Sequence, residues 1–447
     1  MRLYIKKQCN ETLKVLMEAH GEVQRLVEKK QTEAAYGLLE ECQQGAISVG
    51  NTIEESEGEG TEEVSRLEAY CEKLWQLHED LNAKKPISIK QAVKALDGLL
   101  KEVSEGITNR LPDRREVVFL PYKASMWDSL ESVWKKMEAD PGIDAVVMPI
   151  PYYDKNPDGS FRAVHYELDQ FPGDVPVIGY QEYDLEARHP EAIYIHNPYD
   201  EINFVTSVHP DFYSSKIKDL TDELVYIPYF VLSDDFDENN PEALQGMKHF
   251  CLSPGVLNAH RVILQSEHMK KAYVNVLSEH FGQQTRPIWE QKLEGTGSPK
   301  MDRVANLKAE DYVLPEEWEK IVNGPEGRKK IIFYNTGVTA LLQENDKMID
   351  KIRRVFEIFK EQKDKVALLW RPHPLIEATL TSMRPDLWAE YEKLVKAYKE
   401  EGWGIYDDSP NMDRAIAISD AYFGDRSSIV QLYRKTGKPI MIQNVDI

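Results

Sequence analysis

From Arg115 onward, short apolar runs rich in β-branched residues alternate with stretches of helical periodicity, and that rhythm leaves few folds open. Residues 116–120 (EVVFL), 145–150 (AVVMPI), 193–195, 224–227 and 261–264 read as strands, with a helix over 129–137. A second series reads as strands at 330–334 (KIIFY), 366–370 (VALLW), 403–406, 421–423 and 439–442. Helices fall between them at 345–361, 387–399, 412–419 and 427–436. Continuous apolar strands joined by helices predict parallel sheets covered on both faces. Such sheets take ligands outside the carboxyl ends of their strands. Gly and Pro cluster between the two series, at 295, 297, 299, 315, 324, 325 and 327, which predicts a crossing between two lobes. The expected organisation is a helical segment over 1–112, a first α/β lobe over 113–295, a linker over 296–329 and a second α/β lobe over 330–447. Two lobes facing a cleft would bring both sets of strand ends to one site.

The first 110 residues carry helical rather than strand periodicity. Leu13, Leu16, Met17, Val23, Leu26, Val27, Leu38 and Leu39 give one pattern. A polar, acidic break at 51–60 (NTIEESEGEG) separates it from a second through Leu67, Tyr70, Leu74 and Leu77, and a third short helix is read near 89–103. This predicts a helical hairpin or short coiled coil, serving packing and homo-oligomerisation or docking a partner or membrane surface. The chain of 447 residues has a formal net charge of -21. That argues against non-specific nucleic-acid binding and against direct contact of the acidic helices with anionic lipid. The four cysteines, Cys9, Cys42, Cys71 and Cys251, form no CxxC pair, so neither a zinc site nor a disulfide framework is predicted. With no apolar h-region at the start and no run near the roughly 18 apolar residues that span a bilayer, a cytoplasmic protein is expected, with at most peripheral membrane contact.

Three strand ends carry chemistry. In WRPHP, the prolines stiffen the backbone and hold His373 at the end of a strand. There an imidazole can donate to a phosphate or assist a leaving group, or simply bond a backbone carbonyl. Arg371 beside it can pair with a phosphate or a carboxylate. In GDRSS, Ser427 and Ser428 stand between a strand and a helix, where free amides and hydroxyls favour an anion, or where a serine is only a cap. In IHNPYD, His196 follows a strand of the first series and is a candidate general base, with Asn197 and Asp200 to position it, or a structural histidine. His209 is a weaker rival. GSPKMD, residues 297–302, reads as a turn. P-loop, HExxH, GxSxG and Asp-rich metal motifs are absent from the sequence. Phosphate handling is therefore expected to use amides, hydroxyls and basic side chains, with no metal.

These motifs, in this order, resemble the CDP-glycerol glycerophosphotransferase family, which builds teichoic-acid-like polymers. That family carries an Arg-Xaa-His element and a later Asp-Xaa-Ser-Ser element in its second lobe. Here they are similar to Arg371-Pro372-His373 and Asp425-Arg426-Ser427-Ser428. GSPKMD is similar to the family's interlobe turn, and IHNPYD occupies the place of its Trp-His-Gly base motif. The resemblance spans residues 117–442. Ile195 and Asn197 replace the usual Trp and Gly, and Asn335-Thr336-Gly337 replaces Thr-Trp-Arg. The chain also ends just after its last strand, where such lobes commonly add a helix that crosses back. The resemblance implies a GT-B-like fold of two Rossmann-like lobes facing a cleft, preceded by the helical segment. It implies His196 and His373 as catalytic residues, and Arg371, Asp425, Ser427 and Ser428 as donor ligands. No cofactor is implied beyond the donor substrate, CDP-glycerol or a related CDP-alcohol. The implied acceptor is a polymer or lipid-linked hydroxyl, which sets the enzyme at the inner face of the cell membrane. Two alternatives stay open: a GT-B glycosyltransferase using a nucleotide sugar, and a non-catalytic binding protein on a decayed transferase fold.

Overall fold

The computed structural model describes residues 1–156, 158–325, 327–409 and 411–443. It divides into two compact units. One comprises Met1–Tyr122, Trp134–Ile195 and Phe204–Val225; the other comprises Lys123–Val133, His196–Asn203 and the chain from Tyr226.

The first unit opens with four helices, α1 (Leu3–Glu28), α2 (Thr32–Glu57), α3 (Glu62–Asn82) and α4 (Ile89–Asn109). Each packs on the next and α4 closes on α1, so the segment is a four-helix bundle. The hairpin read from the sequence is thus corrected. The missed break lies at Lys29–Gln31, which has no Gly or Pro to mark it. There Lys30 takes φ +57°, and the amides of Lys30 and Gln31 close back on the carbonyls of Val27 and Leu26. The acidic run proposed as a break is helical as far as Glu57, because Ile53 is fully buried and holds that turn to the core. Leu13, Leu16, Leu39, Leu67, Leu74 and Leu100 fill the centre. One polar group crosses it. His20, from α1, places Nδ1 2.7 Å from Asp97 on α4 and Nε2 2.6 Å from the Tyr70 hydroxyl on α3.

The same unit contains strands β1 (Arg115–Leu120), β2 (Ile143–Val147), β3 (Tyr152–Lys155), β4 (Phe161–His165), β5 (Ala192–Ile195), β6 (Thr206–Val208) and β7 (Glu223–Tyr226). The order β2-β1-β5-β7 forms its sheet, with β1 parallel to both β2 and β5. A small antiparallel sheet, β4-β3-β6, has no counterpart among the predicted elements. Its strands carry tyrosine, charge and half-exposed residues rather than an apolar run, so period-2 hydrophobicity does not reveal them. Buried Glu116 on β1 and Glu191 before β5 tie the bundle to this sheet. Arg2 bonds Glu191, and Glu191 also accepts from the amides of Tyr4 and Glu116.

In the second unit β8 (Arg261–Ile263) pairs in parallel with β9 (Leu293–Glu294). The segment read as a turn, GSPKMD, instead begins the helix Pro299–Ala305. After a short hairpin of β10 (Asn323–Gly324) and β11 (Gly327–Arg328) comes a five-stranded parallel sheet. Its strands are β12 (Lys330–Thr336), β13 (Val366–Pro372), β14 (Ile405–Tyr406), β15 (Ala421–Gly424) and β16 (Ile440–Ile442), in the order β14-β13-β12-β15-β16. Alternate residues supply opposite faces. Ile331, Phe333, Ala367 and Leu369 pack into one core, and Tyr334, Leu368 and Trp370 into the other. The chain is therefore α/β, with parallel sheets and a helical N-terminal segment, as its apolar rhythm predicts. No helix among the described residues is long and apolar enough to cross a membrane.

The bundle's buried polar bridge yields a stability prediction. His20→Phe keeps a ring but removes the histidine partner of the buried Tyr70 hydroxyl, an effect worth about 1–3 kcal/mol. Urea denaturation followed by circular dichroism should show that loss, whereas Tyr70→Phe combined with His20→Phe should recover part of it.

Candidate functional site

The five-stranded sheet has its topological switch point between β12 and β15. The chain moves outward through β13 and β14, returns beside β12 as β15, and continues to β16. Outside the carboxyl ends of strands at such a point the backbone diverges and leaves a crevice. Register places the relevant ends together. Thr336 stands opposite Pro372, and Asn335 opposite both Arg371 and Gly424. The amides of His373 and Asp425 then bond the carbonyls of Thr336 and Asn335, at 2.9 and 3.1 Å.

Asn335 is the joint. Its side chain is buried; Nδ2 donates to the Arg371 carbonyl at 2.9 Å and Oδ1 accepts from Ser427 Oγ at 3.3 Å. One carboxamide thus links the ends of β12, β13 and the loop after β15. Gly424 makes this approach possible. It has φ +140°, and a Cβ there would collide with the Asn335 backbone. Sequence reasoning noted Asn335 only as a departure from a family pattern. Its partners lie 36 and 92 residues away, so only the register of the sheet reveals its role.

The predicted donor ligands fall into two groups. Ser427 precedes the helix Ser428–Arg434 but makes no side-chain cap; its hydroxyl goes to Asn335. Ser428 is exposed, and among the described residues its hydroxyl makes no hydrogen bond. His373 is exposed at the end of β13. Its Nδ1 accepts from the Leu375 amide at 3.2 Å, so the neutral ring carries its proton on Nε2, where it can donate outward. Partial desolvation lowers its pKa below the ordinary imidazole value, which favours that neutral form. By contrast, Arg371 and Asp425 are engaged internally. Arg371 is buried, with Nη1 2.5 Å from Asp407 and Nη2 2.6 Å from the Ser409 carbonyl. Asp425 bonds Lys351 Nζ at 3.1 Å and the Gly337 amide at 2.8 Å. A cavity of about 400 Å³ opens beside His373, walled in part by Trp388, Tyr391 and Tyr406, with Lys396 and Lys399 at its margin.

His196 belongs to a separate cluster in the same unit. It follows β5 directly and is fully buried. Ser129 Oγ donates to the Met126 carbonyl at 2.7 Å and lies 2.9 Å from His196 Nδ1. The serine proton being committed, Nδ1–H is the donor, and in the neutral ring Nε2 carries the lone pair. Desolvation drives its pKa down to about 3, and the nearby charge of Lys300 acts in the same direction. Lys300, from the helix Pro299–Ala305, pairs with Asp128 at 2.6 Å. Arg303 one turn later joins Glu131 and Asp413. Ser129 carries no motif signature, and Lys300 lies within GSPKMD, which the sequence marks only as a turn. His209, in the first unit, has its Nδ1 accepting from the Asp211 amide.

No protein-family model matches the sequence, and no curated protein matches it. Among solved structures, the chain is similar to Staphylococcus aureus MnaA in its co-structure with UDP, at 10% identity over 73% of this chain and 78% of that one, with a TM-score of 0.43. It is similar to the UDP-GlcNAc 2-epimerase of Neisseria meningitidis bound to UDP-GlcNAc, at 12% identity, 73% and 82% coverage and a TM-score of 0.41. It is also similar to the wall teichoic acid polymerase TagF, at 16% identity, 84% and 78% coverage and a TM-score of 0.38. Likeness this distant leaves substrate and chemistry to the residues themselves.

Two predictions follow from this geometry. Asn335→Ala removes the joint and strands a buried carbonyl, which should cost about 1–3 kcal/mol in chemical denaturation. For His196, the unfolded chain binds a proton below about pH 6.5 that the folded chain refuses until about pH 3. Stability should therefore fall with decreasing pH across that window, by up to about 1.4 kcal/mol per unit from this residue alone. Denaturation curves of the parent and His196→Asn between those pH values should differ by that slope.

Proposed function

We propose that the chain is a GT-B-type transferase that moves a polyol phosphate, of the glycerol phosphate type, from a CDP-activated donor to an acceptor hydroxyl in cell-surface polymer synthesis. The observation that carries this reading is the crevice at the switch point of the five-stranded sheet. There the Ser427 and Ser428 hydroxyls and the Nε2–H of His373 stand on loops that Asn335 joins. The Ser428 hydroxyl and the Nε2–H of His373 are neutral donors that suit a diphosphate, and the Ser427 hydroxyl joins them by turning its single proton from Asn335 to the ligand. The adjoining aromatic-walled cavity suits the nucleoside. Arg371 and Asp425 contribute by anchoring the loops from which the donors act. In the reaction, an acceptor oxygen attacks the phosphorus bearing the polyol. The P–O bond to CMP breaks, and the acceptor proton passes to Nε2 of His196. The neutral imidazole is in the correct form to take it, but it must first be uncovered, which assigns a conformational step to the segment around Tyr229, whose ring stands 6.0 Å from that of His196. A polymer or lipid-linked acceptor would bring the enzyme to the inner face of the cell membrane.

A second reading has its own observation. With His196 enclosed and both Arg371 and Asp425 engaged in internal pairs, the chain could bind a nucleotide without turning it over. Assaying CMP release from CDP-glycerol and CDP-ribitol separates the two, and release of a nucleoside diphosphate from a nucleotide sugar would mark a glycosyltransferase instead. The donor site has its own test. A hydrogen bond to a charged group is worth about 1.5–3 kcal/mol, so Ser427→Ala with Ser428→Ala should weaken CDP-glycerol binding at least about tenfold. Calorimetry on a variant whose melting curve matches the parent reads that change, and unchanged affinity would place the diphosphate elsewhere.

A further inference from the structure

The four-helix bundle is electrically lopsided. Helix α1 carries four basic and four acidic residues, and α4 three of each. Residues 32–82, which form α2 and α3, carry thirteen acidic residues and two basic ones, a formal -11 of the chain's -21. Helix α2 has six glutamates and no Lys, Arg or His. These charges are also ordered. Glu33, Tyr36, Glu40, Gln43 and Ile47 follow one another at spacings of three and four along α2, and Glu68, Glu72, Trp75 and Glu79 do so along α3. Each set therefore lies on one helical face. Among the described residues Glu33, Glu40, Glu68 and Glu72 form no ion pair.

Between these faces lies a groove of about 180 Å³ with Leu39 and Leu74 as its floor and Trp75 on its wall. Trp75 is 58% exposed, and Ile47, one turn beyond Gln43, is 48% exposed. The other seven tryptophans are buried or half-buried. A tryptophan left in water beside an apolar groove loses the gain its ring obtains on burial, and exposed aromatic anchors of this kind dominate interfaces. Tyr36 packs on His78, ring centroids 4.6 Å apart, at one end of the groove.

We infer that the α2–α3 groove docks a basic amphipathic helix of a partner protein, with one large apolar side chain seated against Trp75 and lysines or arginines facing the two glutamate rows. The charge selects this occupant over its rivals. A second copy presenting the same face would set glutamate against glutamate, and an anionic membrane would be repelled in the same way. A cation of the partner can also lie over the Trp75 ring. The inference is independent of the proposed transferase activity.

The test uses the full chain and a labelled Lys/Leu amphipathic helical peptide, beside a peptide of the same composition with its order scrambled. Fluorescence anisotropy should show the amphipathic peptide bound at least about tenfold more tightly than the scrambled one. Trp75→Ala, and separately Glu40→Lys with Glu72→Lys, should each weaken it by about tenfold or more with unchanged melting curves. Both sites are exposed, so folding should survive the changes. Equal binding of the two peptides, or unaltered binding by Trp75→Ala, would overturn the inference. So would binding to anionic phosphatidylserine vesicles, or self-association in light scattering, that Trp75→Ala abolishes.

Discussion

The carboxamide of Asn335 holds the candidate site in its shape. A buried amide must satisfy both a donor and an acceptor end, and each end left unmet carries a desolvation cost. Here the donor end takes the Arg371 carbonyl, and the acceptor end takes the Ser427 hydroxyl. The loops after β13 and β15 are thereby tied to β12 in one arrangement. Gly424 is a consequence of that arrangement, since a side chain there would meet the Asn335 backbone. The Ser427 proton is thereby held by Asn335 rather than by an amide of the helix that follows.

Buried carboxylates play the corresponding part in the first unit. Burial alone would push the Glu116 carboxyl up, but hydrogen bonds from Arg188 and Tyr183 and the charge of Arg2 hold it below the usual range. Glu191 accepts from Arg2 and from two backbone amides. An isolated charge in these positions would be costly, and a fully bonded one joins the elements that supply its donors. The bundle and the sheet of this unit therefore meet through specific polar contacts near the chain's first residues.

Apolar periodicity made the parallel strands legible, because the central ones, such as β1, β5 and β13, are buried on both sides and largely apolar. The alternation of Ile331 and Phe333 with Tyr334 across two cores is the structural form of KIIFY. Periodicity could not mark the turn at Lys30, where the left-handed residue is not glycine, or the antiparallel strands around Tyr152, which are only partly covered. His373, Ser427 and Ser428 were legible as strand-end residues because Pro, Gly and Ser are visible locally. Ser129 and Asn335 were not, because their partners are distant in sequence and an ordinary Ser or Asn has no local signature; Lys300 stood in the GSPKMD motif, but its pairing with Asp128 spans 172 residues.

The distribution of cations gives the candidate site its character. Arg371 faces Asp407, and Lys351 faces Asp425. A cation paired to a buried carboxylate contributes little net field beyond the pair, and moving it toward a ligand would leave the carboxylate uncompensated. The outward donors that the strand-end loops offer beside these pairs include two neutral groups: the exposed Ser428 hydroxyl and an imidazole whose bonding to the Leu375 amide directs its proton outward. Neutral donors stabilise an anion through short-range geometry rather than long-range attraction. Selectivity at such a site depends on how firmly the loops are held, and Asn335 bonds both the end of β13 and the loop after β15.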